Sequence, residues 1–488
     1  MALERPLTLW MISSEITPYA QTGGLGDVLS ALPAALAQKG HRVRRFLPGY
    51  GQVDRTGFQT DPEKIVIPSG PDSLSVSFSS KKEPSGVITT LIECPELFGN
   101  RRGIYGDSNA DFPDNARRFS LFSRAVCELA ANAENPPDIL HGHDWHAALV
   151  PLFAKFTCSW RRAPKTVFTI HNLGYQGRFP EGELQWLSLP ENVRNEVFRM
   201  EGIEYFGDVN FLKAALLYSD KLTTVSPTYA REILTPEHGA GLDGVLRKRA
   251  ADLSGILNGV DYGVWNPETD ALIPRKYGAS SSKEGKRAAR AALEKDFTLP
   301  PSNRPLLGVV SRLVHQKGID VFLEAVPALL EVGVDLAILG AGDQGLVDTL
   351  ERLRRSFPGR IGVFIGYNER ASHFVFAGSD ALLVPSRYEP CGLTQLYALR
   401  YGTLPIAHRT GGLADSICDL EEDPSGGTGF LFSPLTTAAL AHAVRRAVSL
   451  WRENPAEWRA AQKRAVEQEF SWDKAASRYE TLYRQLVD

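Results

Sequence analysis

The chain has 488 residues, with 54 Lys and Arg against 57 Asp and Glu, for a formal net charge of −3. Charged residues make up 23% and hydrophobic ones 43%, which excludes wholesale disorder, a collagen-like repeat and a bundle of membrane helices. The near-neutral balance excludes a global basic field for nucleic acid and leaves room for a local cationic pocket. Five scattered cysteines (Cys94, Cys127, Cys158, Cys391 and Cys418) show no C-x-x-C spacing and read as reduced thiols. The first residues do not follow a signal-peptide pattern, and no run reaches the roughly 20 apolar residues of a membrane helix. A cytoplasmic protein, with neither membrane nor nucleic acid as partner, is the expectation.

Short apolar runs alternate with helix-like segments. Residues 7–12, 43–47, 138–143, 166–170 and 222–225 read as buried strands, with helices expected over 27–38, 115–131, 147–156 and 208–217. Residues 73–98 interrupt this series; within 73–79, Leu74, Val76 and Phe78 alternate with polar residues, as in half-exposed antiparallel strands. A polar gap over 266–303, rich in Ser, Lys, Arg and Pro, separates a second series with strands at 306–310, 336–339, 363–365, 381–384 and 404–407. Strand–helix alternation argues for parallel sheets covered on both faces. The expected fold is α/β, with two doubly wound domains facing across a cleft; a single eight-stranded barrel is the alternative, which the polar gap disfavours. The expected bounds are 1–257 and 258–470. A C-terminal helix over 471–488 carries Ala476, Tyr479, Leu482, Tyr483 and Leu486 on one face and is expected to pack on the first domain.

Polar clusters fall where strands end. Thr22-Gly23-Gly24-Leu25 opens a helix after the first strand, where unpaired N–H groups favour an anion; a plain turn is the other reading. A similar Thr410-Gly411-Gly412-Leu413 recurs in the second series. Arg312 and Lys317 follow the strand 306–310, where open α/β sheets bind ligands, and two cations there suit a diphosphate; an exposed basic turn is the alternative. Glu389 stands before a helix, either facing sugar hydroxyls or capping it. His141-Gly142-His143-Asp144-Trp145-His146 tempts a metal reading, but a hydrogen-bonded sugar site or core packing fits better, because no H-E-x-x-H pattern exists. His171-Asn172 forms another polar strand end, and Asn258 sits where the first series closes.

These motifs together resemble the bacterial glycogen synthase and plant starch synthase family. The matches run from Thr22–Leu25 through His143–Ala148, His171–Asn172, Met200–Tyr205 and Asn258–Asp261 to Ser311–Gly318, Glu389–Tyr397 and Arg409–Asp415. Many relatives carry a second Glu eight residues after the first; here that position is Tyr397, as in the glycogen and starch synthases. The resemblance implies a GT-B fold, in which two Rossmann-like domains face across a cleft. It implies transfer of glucose from ADP-glucose, as co-substrate, to the non-reducing end of glycogen or another α-1,4-glucan, with retention of configuration and no metal or other cofactor. Carried over by position, Glu389, His171, Asp144, Arg312 and Lys317 are the expected catalytic set. Arg312 and Lys317 would hold the diphosphate, and Glu389 would contact the donor glucose. Gln21, Gly23, Gly24, Asp27, Asn258, Tyr367, Cys391, Gly392, Leu393, Thr410, Gly411 and Gly412 would line the donor site, with Tyr367 beside the adenine. One departure stands out: the family's Lys before T-G-G-L is Gln21 here. It motivates two alternatives, a glucan-binding homologue of low activity and an enzyme preferring UDP-glucose.

Overall fold

A computed structural model describes residues 5–107 and 110–487. The chain folds into two compact units, one comprising Met1–Val225, Ala230–Gly259 and Trp472–Asp488, the other Ser226–Tyr229 and Val260–Ser471.

Unit 1 is built on a nine-stranded sheet. In chain order its strands are β1 (Thr8–Ile12), β2 (Arg42–Pro48), β3 (Gln59–Ser69), β4 (Asp72–Lys82), β5 (Ile88–Glu93), β6 (Ile139–His143) and β7 (Lys165–Ile170). A small antiparallel sheet of β8 (Arg178–Pro180), β9 (Glu204–Tyr205) and β10 (Asp208–Asn210) intervenes before β11 (Lys221–Thr224) and β12 (Leu253–Gly255). The large sheet runs β12-β11-β7-β6-β1-β2-β5-β4-β3. It is parallel from β12 to β5, and the hairpin β3–β4 adds antiparallel to that edge. The central parallel strands are buried because helices cover both faces: Leu9, Met11 and Ile12 of β1 and Ile139 and Leu140 of β6 have no exposed surface. The chain order reverses at β1, which lies between β2 and β6. In such folds ligands bind at the carboxyl ends of the strands beside this point.

The C-terminal helix Trp472–Val487 belongs to unit 1. Ala475, Ala476, Tyr479, Leu482 and Tyr483 are its buried face. The Tyr483 hydroxyl lies 2.7 Å from Nδ1 of His141, beneath the strand end that carries the polar cluster.

Unit 2 holds a wholly parallel sheet of β13 (Leu306–Val310), β14 (Asp335–Gly340), β15 (Ile361–Ile365), β16 (Ala381–Val384), β17 (Leu404–His408) and β18 (Phe430–Phe432). Its order is β15-β14-β13-β16-β17-β18, so the switch point lies between β13 and β16.

Several expectations need correcting. The polar gap over 266–303 contains the helix Ser282–Asp296, with Ala289 and Leu293 fully buried in the core of unit 2. Buried Lys286 anchors it, donating to the Thr403 hydroxyl at 2.6 Å and the Ala377 carbonyl at 3.0 Å. Its apolar stripe is too narrow to stand out among the charges. The helix expected over 208–217 is instead strand β10 followed by the helix Phe211–Tyr218. Asn210 makes that break by accepting the Lys213 N–H in an N-cap. The helix expected over 147–156 begins at Val150, after a short turn at Trp145–Ala147. The helix expected from residue 27 begins earlier, at Gly24, so the Gly-Gly turn opens its first turn; this helix is α1 (Gly24–Gln38).

Candidate active site

In unit 1 the polar residues gather where β1, β6 and β7 end. Asp144 follows β6 with φ 56° and ψ 174°. A non-glycine residue in this region costs on the order of 1–3 kcal/mol, which the surroundings must offset. They do so through its carboxylate: Oδ1 accepts the backbone N–H of His171 at 2.8 Å and of Asn172 at 3.4 Å. Burial pushes the Asp144 carboxyl up to about 7, against the opposing pull of those two N–H groups, and the charge of Glu15 adds to the rise.

The neighbouring histidines are neutral. His143 Nδ1 lies 3.0 Å from His171 Nε2. Burial pushes His171 down to about 3, and His141 likewise, with the adjoining His171 adding to the effect on His141. His141 also has both ring nitrogens engaged, by Thr169 at 2.6 Å and Tyr483 at 2.7 Å, so it is a core histidine. His146 is buried and stacks on Tyr105 with ring centroids 4.3 Å apart. Asn258 is buried, and its Oδ1 has no hydrogen-bond partner among the described residues.

The Gly-Gly turn rests on Glu15, a residue the motifs did not flag. Its carboxylate accepts the N–H groups of Thr22 at 2.7 Å and Gly23 at 3.0 Å. It also accepts the hydroxyls of Thr22 and Tyr105, each at 2.7 Å. Gln21 is exposed and folds back onto this helix start, donating to Asp27 Oδ1 at 3.0 Å and the Gly23 carbonyl at 3.1 Å. Beyond the Asp144 loop lies a cavity of about 640 Å³, lined among others by Trp145, Tyr175, Phe179, Asn115, Gln176 and Arg178. Apolar ring faces beside planar polar groups are the usual surface for a sugar chain. Of its walls, only Trp145 belongs to a flagged motif, the His141–His146 cluster; the others come from three further stretches of chain that no motif marks.

Unit 2 brings a second set together at its own switch point. Lys317, after β13, donates to Oε2 of Glu389, after β16, at 2.5 Å; the Ser386 hydroxyl donates to the same oxygen at 2.8 Å. Glu389 is buried, whereas Arg312 is exposed with no side-chain partner among the described residues. Gly318 ends the Lys317 turn at φ 63°, where an added Cβ would lie 1.8 Å from the Pro385 carbonyl oxygen. Arg387 ties the same turn down with two bonds of 2.6 Å to Asp320 and one of 2.7 Å to the His315 carbonyl.

The second Gly-Gly turn packs directly on the Glu389 loop. The N–H of Gly412 donates to the Glu389 carbonyl at 3.0 Å. A Cβ at Gly411 (φ 44°) would lie 2.0 Å from that same oxygen, and one at Gly412 would lie 2.0 Å from the Cys391 carbonyl oxygen. Buried Gln395 braces the loop by donating to the carbonyls of Cys391 at 2.9 Å and Gly392 at 3.0 Å. Leu393 precedes the helix Thr394–Arg400, for which Thr410 has a counterpart role before Gly411–Ser416. Tyr367 stands 85% exposed after β15. Tyr397 is a core residue, stacked on Trp265 at 4.2 Å.

Two doubly wound units with polar clusters at their switch points define the GT-B class of glycosyltransferases. Residues 8–248 match the starch synthase catalytic domain and residues 292–465 match glycosyl transferases group 1. The chain is 44% identical to the glycogen synthase of Anaeromyxobacter dehalogenans (strain 2CP-C) over 487 residues, covering 99% of this chain and 100% of that one. It is 43% identical to the glycogen synthase of Myxococcus xanthus (strain DK1622), with 99% and 100% coverage. The catalytic domain of starch synthase IV from Arabidopsis thaliana, a structure bound to ADP and acarbose, superposes with a TM-score of 0.90 at 33% identity, covering 99% of this chain and 100% of that one. The chain belongs to the glycogen synthase and starch synthase family of glycosyltransferases.

Proposed function

We propose that this protein transfers glucose from ADP-glucose to the non-reducing end of an α-1,4-glucan such as glycogen, with retention of configuration, in the cytoplasm. The observation that carries the reading is the pairing of Lys317 with buried Glu389, with exposed Arg312, which has no side-chain partner among the described residues, following the same strand as Lys317, in a chain whose structural relative is bound to ADP and acarbose. In this reading Arg312 and Lys317 take the diphosphate, whose charge grows as the glycosidic C–O bond breaks. Cations fixed beforehand stabilise that charge without reorganising. No metal is called on, because these two side chains supply the positive charge.

Glu389 then has two tasks. It holds Lys317 in place through Oε2, and its other oxygen is available to a glucose hydroxyl. Asp144, ionised above about pH 7, would place negative charge beside the oxocarbenium-like glucosyl centre, with neutral His171 as a hydrogen-bonding neighbour. The cavity beside Trp145 is the proposed seat of the acceptor chain. No carboxylate in this scheme is assigned as a nucleophile, so attack occurs on the face that ADP leaves. Incubating labelled ADP-glucose and UDP-glucose separately with glycogen, and counting glucan-bound label, tests donor and reaction together. Preferential transfer from ADP-glucose supports the reading; transfer from UDP-glucose alone overturns the donor assignment.

A further inference from the structure

Glu15 is a buried carboxylate with no cation in ion-pair range among the described residues. Burying an unpaired charge is costly unless hydrogen bonds replace its water. Four donors do so here, and three of them belong to Thr22 and Gly23. The division of labour between its oxygens is definite. Oε2 collects the two backbone N–H groups, and Oε1 collects the hydroxyls of Thr22 and Tyr105. The Tyr105 hydroxyl is also 2.7 Å from the Ser14 hydroxyl, so the carboxylate cannot swing freely.

An anion already occupies the first two N–H groups of this turn. The next ones, on Gly24 and Leu25, open α1, where an α-helix leaves its N–H groups without intrahelical partners. Gly23, at the N-cap position, makes no side-chain cap bond. A glycine has no side chain to cap with, and the carboxylate eight residues upstream holds the backbone N–H groups of Thr22 and Gly23 instead.

We propose that Glu15 is a positioning residue: its carboxylate fixes the Thr22–Gly23 backbone so that the N–H groups at the start of α1 point at a bound nucleotide diphosphate. This inference rests on the nucleotide-sugar reading above and deepens it. Glu15 acts through oxygen geometry, and its charge is a cost, since it lies beside a turn meant for phosphate. Tyr105 extends the arrangement toward the Asp144 loop, because its ring stacks on His146.

Two conservative variants separate geometry from charge. Glu15→Gln keeps an oxygen for the two N–H groups, and its amide can donate to the hydroxyls of Thr22 and Tyr105, which rotate to accept. Glu15→Asp keeps the charge but draws both oxygens back by one methylene. ADP affinity by calorimetry and the kcat and KM for ADP-glucose are measured for both, alongside the melting temperature. The expected result is an ADP Kd within about three-fold of wild type for Glu15→Gln. For Glu15→Asp, Kd and KM should rise at least about ten-fold, with a smaller change in kcat, a split that a purely structural role would not produce. Glu15→Asp binding ADP as wild type does, or Glu15→Gln binding worse than Glu15→Asp, overturns the proposal. A wild-type protein that binds no ADP overturns the nucleotide reading instead, so the two failures are distinguishable.

Discussion

The Lys317 ammonium lies 2.5 Å from Oε2 of Glu389, although 72 residues separate them in the chain. The strands that deliver them, β13 and β16, are neighbours at the switch point of unit 2. The pair keeps a buried carboxylate neutralised while leaving two of the three ammonium protons for a ligand. Removing either partner strands the other, and an unpaired buried charge is more damaging than a missing contact.

Lys317→Ala should therefore lose on the order of 3–4 kcal/mol of transition-state stabilisation, roughly 100–1,000-fold in kcat/KM. Arg312→Ala should lose activity on a similar scale while leaving the melting temperature unchanged, because Arg312 is exposed and has no side-chain partner among the described residues. Steady-state kinetics and thermal melts on both variants check this. A Lys317→Ala enzyme within about three-fold of wild type would place the residue outside the reaction.

Asp144 gives a pH signature with a definite sign. Its pKa rises from 3.8 to about 7, so between those values the folded state holds a proton that the unfolded state releases. Its contribution to stability is thus present at low pH and declines as pH rises through that window. His171 and His141 act oppositely: with pKa values lowered from 6.5 to about 3, their contribution is lost as pH falls below 6.5. Two neutral imidazoles against one carboxyl predict net destabilisation on acidification below pH 6.5, and Asp144→Asn should steepen it. Activity should rise through pH 7 in the wild type, and that limb should vanish in Asp144→Asn together with about 100-fold of the rate. Urea titrations and rate profiles across pH 4–9 measure both.

Gln21 stands where the family has Lys, and its amide is spent on Asp27 and the Gly23 carbonyl. A Lys at this position would meet the Asp27 carboxylate first, so part of its charge would be neutralised before reaching a phosphate. Gln21→Lys should raise kcat/KM for ADP-glucose by about 2–10-fold, an effect that shrinks with salt because the position is exposed. Unchanged or lower kcat/KM at low salt would show that another cation, such as Arg312 or Lys317, already meets the phosphate charge.

Gly411 is fixed by both backbone angle and space. Gly411→Ala would combine φ 44° with a Cβ 2.0 Å from the Glu389 carbonyl oxygen, so the Glu389 loop must shift. A stability loss of about 1–3 kcal/mol and a drop in activity larger than that loss explains are expected. Chemical denaturation and kinetics on the same preparation compare the two.

Residues at strand ends were legible in the sequence because an apolar run followed by a polar cluster needs no long-range information. Asp144, His171, Lys317 and Glu389 all follow that rule. Glu15 follows it too, but a single acid after a strand says nothing about its partners. Those partners lie up to 90 residues away at Tyr105. Arg387 and Asp320 were missed for the same reason, being paired across 67 residues. The hairpin strand β3 stayed hidden because most of it is exposed, Val66 at 69%, so burial never imposed a clear alternation on it. The helix Ser282–Asp296 looks like a gap in the sequence because charge dominates its composition.

The most direct test of the central claim is transfer of labelled glucose from ADP-glucose to glycogen, followed by digestion with an exo-amylase specific for α-1,4 linkages. The account predicts label incorporation that requires Lys317 and is released as maltose. No incorporation from ADP-glucose, or label that resists the digestion, would contradict it.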